Sequence, residues 1–87
     1  MGRALVAAKL AACVNIYPGL RSVYEWGDEV VVEDEVAAFI KTRAALAEAA
    51  MAAARQLHPY EVPALLVLPI IQGNEDYLTW VRGQTSG

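Results

Sequence analysis

The sequence is poor in the residues on which disulfide frameworks and nucleophilic active sites depend. It contains 1 Cys and 1 His in 87 residues. A single cysteine cannot form an intrachain disulfide, so we expect the reducing cytoplasm as its location. Its serines, Ser22 and Ser86, do not lie in a nucleophile-elbow pattern, and Gly19, Gly27 and Gly73 stand alone rather than in a phosphate-binding loop. These absences indicate a protein that is not an enzyme.

Positive charge and long apolar runs are also scarce. The chain has 7 Lys+Arg against 10 Asp+Glu, which gives a net charge of −3. Nucleic acid is a poor partner for such a chain, because binding to phosphates needs clustered positive charge. No apolar run reaches the roughly 18 residues that a membrane span requires, so no membrane partner is expected either.

The sequence does contain apolar surface for one small domain. Hydrophobic residues make up 56% of the chain, and its length allows a single domain over residues 1–87. A domain of this size buries only about 60–65% of its unfolded surface and is marginally stable alone. Because no disulfide or zinc framework strengthens it, self-association is the expected remedy.

Periodicity predicts an α+β chain. Residues 2–12 and 43–57 have helical character, and Thr42 can cap the second of these helices. Residues 13–42 alternate in the manner of a long bent hairpin whose turn lies at Gly27. The order so far is helix, strand, strand, helix.

The C-terminal third adds a strand and a helix. Residues 64–71 are apolar at nearly every position, which predicts a central or covered strand that ends or bulges at Pro69. Asn74 is suited to cap a final short helix that Gly83 ends.

A stiff connector, Leu57-His-Pro-Tyr-Glu-Val-Pro63, joins the second helix to this strand. Its prolines forbid helix and favour extended backbone at the residue before each. The connector therefore presents an imidazole, a phenol and a carboxylate (His58, Tyr60 and Glu61) on a rigid segment, where a binding site is expected.

Several linked motifs carry a family resemblance. They are Ala11-Ala-Cys-Val-Asn-Ile-Tyr-Pro-Gly-Leu-Arg-Ser-Val-Tyr-Glu-Trp26, Ile40-Lys-Thr42, Leu57-His-Pro-Tyr-Glu-Val-Pro63, Leu68-Pro-Ile70, Asn74 and Tyr77-Leu-x-Trp80. In this order and spacing the chain resembles the CutA divalent-cation tolerance family over essentially its whole length. The resemblance implies a ferredoxin-like βαββαβ subunit with a C-terminal helix, similar to PII signalling proteins and assembled as a homotrimer. It also implies copper binding and a part in metal tolerance.

The resemblance has one large departure. Family members begin with a central strand, whereas Met1 here falls inside the first helix, so the first strand is apparently missing. About 20 residues would supply the strand and the helical turn. Either the start has been assigned too late, which we favour, or the chain is cut, or another chain supplies the strand. The 87-residue form is expected to be less stable than one with the strand, since each buried orphan backbone group costs about 1–3 kcal/mol.

The metal candidates that the resemblance favours are Cys13, His58 and Glu61, completed across a subunit boundary. Thiolate and imidazole suit copper, and other divalent cations remain open. Each residue also has a structural interpretation: Cys13 as a small buried side chain, His58 as a hydrogen-bonded connector residue and Glu61 as an acceptor for backbone N–H groups.

A second set of residues matches the family pattern, and the resemblance implies that they line an inter-subunit cleft. The set is Tyr24, Trp26, Lys41, Thr42 and Tyr60. In it Lys41 would pair with Glu61 or with an anionic ligand; the structural alternatives are a solvated lysine at a strand end and, for Trp26, an interface anchor. The first function that follows is a copper-binding trimer of metal tolerance, and the second is a PII-like regulator that binds a small anion in this cleft. A third is a trimer with a structural role and nonspecific metal effects.

Overall fold

The computed structural model describes residues 1–57 and 64–85. Its elements are α1 (Gly2–Ala7), β1 (Cys13–Trp26), β2 (Glu29–Lys41), a 3-10 turn (Ala44–Leu46), α2 (Ala47–Leu57) and α3 (Glu75–Gln84). The predicted mixture of helix and strand is confirmed. His58, Tyr60 and Glu61 lie outside the described residues. Within the described ranges, no helix is long and apolar enough to cross a membrane.

The predicted long hairpin is confirmed. β1 and β2 pair antiparallel, and in residues 1–57 and 64–85 they form the whole sheet. Gly27 turns the chain between them with a φ of 66°, a value that favours glycine. The register shifts between Tyr17 and Leu20, at a bulge that contains Gly19 (φ 79°). Such a bulge bends a strand and increases its twist, so it gives a physical basis for the predicted bend of the hairpin.

Large apolar side chains of the hairpin remain open to solvent. Val23 and Val32 face each other across the strands and are 65% and 58% exposed. Tyr17 and Phe39 pack edge to face with ring centroids 5.3 Å apart, yet each remains exposed. The α-helices and the 3-10 turn supply most of the buried side chains of the described residues: Leu5 of α1, Leu46 of the 3-10 turn, Ala50 and Ala54 of α2, and Val81 of α3.

The predicted strand over residues 64–71 is wrong. These residues have no regular secondary structure, and Leu66, Leu68, Ile70 and Ile71 are exposed. Apolar composition gives a segment strand propensity, but a strand forms only where a neighbour accepts and donates its backbone hydrogen bonds. Within the described part of the chain, only β1 and β2 pair in this way.

Helix α1 is shorter than the predicted 2–12, because the chain reverses at Lys9. Lys9 has a φ of 63°, in the left-handed region. The Leu10 N–H donates to the Leu5 carbonyl at 3.0 Å and the Lys9 N–H to the Val6 carbonyl at 3.1 Å. This pair of bonds is a Schellman motif, in which the residue that Lys9 occupies is most often glycine.

Replacing Lys9 with glycine should therefore stabilise the protein. A residue with a Cβ costs about 1–2 kcal/mol in the left-handed region, and glycine avoids this cost. Because glycine also loses more backbone entropy on folding, we expect the free energy of unfolding to rise by only about 0.5–1 kcal/mol. Urea unfolding followed by circular dichroism measures it. Lys9→Ala removes the same charge but keeps a Cβ and should give no gain. Equal stability of the glycine and alanine variants would contradict the assignment.

Thr42 does not cap a helix that starts at Arg43, contrary to the prediction. Arg43 is extended (φ −78°, ψ 152°) and itself occupies the N-cap position of the 3-10 turn. Its guanidinium reaches across the chain instead: Nε donates to Thr85 Oγ1 at 3.0 Å, and Nη2 donates to the Arg82 carbonyl. The buried Thr85 hydroxyl in turn donates to the Val81 carbonyl at 2.8 Å. Arg43 thus ties the start of the second helical segment to the end of α3.

The prediction for Asn74 is confirmed. Its side chain accepts hydrogen bonds from the backbone N–H groups of Asp76 and Tyr77 at 3.0 and 3.4 Å. Glu75 and Asp76 occupy the first turn of α3, where the helix dipole favours acids. This cap fixes the start of the helix that carries Tyr77 towards the end of β2.

Candidate functional site

The open end of the hairpin brings Cys13 and Lys41 together. They are opposite residues in the register, Cys13 at the first position of β1 and Lys41 at the last of β2. The Cys13 thiol is half-buried and donates to Asn15 Oδ1, with 3.6 Å between the sulfur and the oxygen. Residues two apart on a strand share a face, so this contact follows from the strand geometry. One end of the hairpin therefore carries a free thiol on β1 and a lysine at the opposite position of β2.

The described residues do not by themselves make a metal centre. No group of three or more His, Cys, Asp and Glu side chains is close enough in residues 1–57 and 64–85 to hold an ion. Cys13 is the one predicted ligand within these ranges, and His58 and Glu61 lie outside them. A single thiolate supplies one of the four ligands that a tetrahedral site needs. Any metal site that uses Cys13 takes its other ligands from the connector or from another subunit.

Lys41 contacts the aromatic face of α3. Its Nζ lies 5.6 Å from the centroid of the Tyr77 ring, within the range of a cation–π interaction. The Tyr77 and Trp80 rings are 5.8 Å apart and inclined at 30°. We call Lys41, Tyr77 and Trp80 the Lys41 cluster. The cluster joins a cation to two aromatic rings at the same end of the hairpin as Cys13.

Tyr24 and Trp26 lie at the opposite end of the hairpin. Trp26 is paired with Glu29 next to the turn. Glu29 and Lys41 are the first and last of the 13 residues of β2, and the steps between them correspond to roughly 40 Å of strand. One subunit therefore does not bring Tyr24 and Trp26 close to Lys41. A cleft that contains residues from both ends of the hairpin must be formed by different subunits.

Thr42 borders the Lys41 cluster in sequence. Its Oγ1 is buried and has no hydrogen-bond partner within the described residues. A buried hydroxyl without a partner is costly, typically about 1–3 kcal/mol. The described part of the chain therefore leaves the Thr42 hydroxyl without the hydrogen bond that its burial calls for.

Tyr77 and Trp80 belong to a motif of the family resemblance, but the sequence did not place them among the candidate site residues. Their spacing of three residues in a helix predicts that they share one face. The contact between Tyr77 and Lys41 could not be predicted from the sequence, because it depends on how α3 docks against the hairpin.

An open groove runs between the hairpin, α2 and the segment after the connector. Its volume is about 1300 Å³. Its lining is mostly apolar and includes Leu20, Trp26, Ile40, Ala54 and Leu66, but it also contains the acidic residues Glu33, Asp34 and Glu35 of β2. Small-molecule sites usually have volumes of about 300–1,000 Å³ and enclose the ligand. The size and the apolar lining are more typical of a surface that another protein segment covers.

Comparison with known proteins gives the family. Residues 1–84 match the family of CutA1 divalent ion tolerance proteins. The divalent-cation tolerance protein CutA of Thermus thermophilus is 45% identical over 85 residues, 98% of this chain and 82% of that protein. Its solved structure superposes with a TM-score of 0.91. Human Protein CutA is also 45% identical over 85 residues, and these span 98% of this chain but 48% of the human protein.

A cyanobacterial structure extends the comparison. The PII-like protein CutA from Nostoc sp. PCC 7120 is 34% identical, with a TM-score of 0.89 over 98% of this chain and 83% of that one. The match covers the chain from α1 through α3, so it concerns the whole described fold and not one motif. The chain belongs to the CutA1 divalent ion tolerance protein family.

Proposed function

We propose that this protein is a non-enzymatic cytoplasmic homotrimer with a ferredoxin-like subunit, which binds divalent copper and takes part in tolerance of divalent cations. The observation that carries the proposal is the match of residues 1–84 to a family defined by divalent ion tolerance. The hairpin, the two longer helices and the thiol at the open end of the hairpin are consistent with it.

The exposed surface supports the assembly. A folded monomer of 9.4 kDa exposes about 5000 Å², whereas this chain exposes 6951 Å². The excess, about 1900 Å², is enough for two interfaces that each bury about 800–1000 Å² of this chain. A subunit in a closed three-fold ring has two interfaces, whereas a subunit in a two-fold dimer has one.

The donor chemistry fits copper. Cys13 supplies a half-buried thiol within the described residues, and we assign His58 and Glu61 as its partners in the assembly. Thiolate and imidazole are ligands that copper accepts readily, and a carboxylate oxygen adds charge neutralisation. The described residues of one chain supply one of these three ligands, so the other two come from the connector of the same chain or from another subunit.

Copper titration in a buffer without competing chelator tests the site. We expect saturable binding by the wild type and a loss of affinity of at least tenfold in Cys13→Ser and in His58→Ala. Glu48→Gln removes an exposed carboxylate of α2 and serves as the control, with unchanged binding. Isotherms identical to that of the wild type would remove the substituted residue from the site, and a wild type without saturable binding would overturn the copper assignment.

A second function is favoured by the Lys41 cluster. An ammonium group beside exposed aromatic rings suits a small anionic ligand, as a PII-like regulator would bind it. The Nostoc relative is described as PII-like. Thermal-shift measurements with carboxylates, nucleotides and copper separate the two proposals. Stabilisation by an anion without any response to copper would favour the regulator, and the reverse would favour the metal-binding protein.

A further inference from the structure

The two rings of the Lys41 cluster leave much of their surface open. Tyr77 and Trp80 are 41% and 44% exposed although they contact each other. Aromatic rings bury large apolar areas when another group covers them. A ligand that covers these two half-exposed rings would therefore gain binding free energy. Stacking of a planar ring on such side chains is tolerant of the identity of the ring.

The charge beside these rings is not neutralised by the described chain. In residues 1–57 and 64–85 the ion pairs within 4.0 Å are Arg21–Asp34 and Arg82–Glu75, and neither includes Lys41. Glu75, which lies two residues before Tyr77, is held by Arg82 at 2.9 Å. The first acid of α3 is thus paired with another cation. Within the described residues the Lys41 ammonium has no carboxylate partner, so its hydrogen-bond donors can serve an anion.

We propose that Lys41, Tyr77 and Trp80 form a binding site for a small aromatic carboxylate. The carboxylate pairs with the Lys41 ammonium, and the ring of the ligand covers the exposed surface of Tyr77 and Trp80. This inference rests on the second proposed function, the binding of a small anion, and names the ligand class. We infer both the carboxylate and the ring of the ligand from the geometry, because the Lys41 ammonium lies over the Tyr77 ring and the Trp80 ring packs against Tyr77.

Phenylacetate is a suitable probe, and Trp80 reports its binding. The chain has 2 Trp, so a Trp26→Phe background leaves Trp80 as the single indole. Saturable change of its fluorescence is expected with a dissociation constant on the order of 1 mM, as for a ligand of about ten heavy atoms on an open site. Phenylacetamide has the same ring and shape without the charge and should bind at least tenfold more weakly.

Substitutions of Lys41 test the role of the charge. In the same background, Lys41→Met keeps an unbranched side chain as far as Cε but removes the ammonium group. It should weaken phenylacetate binding at least tenfold without changing the binding of phenylacetamide. Lys41→Arg keeps the cation and should bind within about threefold of the parent, since a guanidinium also pairs with a carboxylate. Lys41 is exposed, so both variants should fold, which circular dichroism checks.

The outcomes separate this proposal from the anion-binding function on which it rests. Equal affinity for phenylacetate and phenylacetamide, or an unchanged phenylacetate isotherm in Lys41→Met, would overturn the site. If acetate binds as tightly as phenylacetate and Lys41→Met loses both, the aromatic ligand class is wrong while anion binding at Lys41 stands. Acetate is followed by isothermal calorimetry, because it has no ring to alter the fluorescence of Trp80.

Discussion

Val23→Glu is expected to convert the assembled protein into monomers. Val23 is 65% exposed in the single chain and lies opposite Val32, which is 58% exposed. If the subunit stands alone, a carboxylate at such a position changes stability by no more than about 0.5 kcal/mol. If a neighbouring subunit covers the pair, the carboxylate is buried without a partner, and the cost of several kcal/mol exceeds what one interface can supply.

Light scattering coupled to size exclusion gives the mass of each form. The wild type should have about three times the mass of the chain and the variant the mass of one chain. Val32→Glu places the charge on the facing strand and should have the same effect. Gln72→Glu adds the same charge at an exposed position outside the hairpin and serves as the control. A variant that keeps the mass of the wild type would mean that this face of the hairpin is not an interface.

The hairpin was predictable because its determinants are local. Alternation of apolar and polar residues and a glycine at the turn define β1 and β2 without reference to other elements. Trp26 opposes Glu29, so an unbroken register would place Cys13 opposite Thr42. The bulge at Gly19 shifts the pairing by one residue and places Lys41 there instead. A shift of one residue in register moves each side chain of a strand to the other face of the sheet. The bulge therefore determines that Lys41, and not Thr42, lies opposite Cys13.

The predicted strand at 64–71 failed because pairing is not a local property. An apolar run indicates what a segment can form, and the partner that provides the hydrogen bonds lies far away in sequence. The cap at Thr42 failed for a similar reason. Arg43 donates hydrogen bonds to Thr85 and to the Arg82 carbonyl, which lie far away in the sequence. These contacts hold the Arg43 backbone extended, so the 3-10 turn starts one residue later than predicted.

The candidate site was predictable only in part. Lys41 and Cys13 were identified through the family resemblance, and the hairpin places them opposite each other. Tyr77 joins Lys41 through the docking of α3, which no periodicity in the sequence specifies. The ligand set of Cys13, His58 and Glu61 stays a prediction.

Leu5→Ala is expected to cause the largest loss of stability of any substitution considered. Leu5 is 1% exposed and is the largest side chain that is completely buried in the described residues. Its carbonyl also accepts the hydrogen bonds from Leu10 and Ala11 that end α1. Removing a buried leucine side chain leaves a cavity and costs about 2–5 kcal/mol. Because small domains have only about 5–15 kcal/mol in total, a large share of the free energy of unfolding should disappear.

Thermal and urea unfolding at one fixed protein concentration measure this loss, since the stability of an oligomer depends on concentration. For a chain of this length, a loss of this size should lower the melting temperature by about 8–40 °C. Val6→Ala, on the next residue of the same helix, is the matched control: Val6 is 41% exposed, so its loss should stay below about 1 kcal/mol. Similar losses in the two variants would mean that α1 contributes to stability through its surface contacts with other subunits and not through the burial of Leu5.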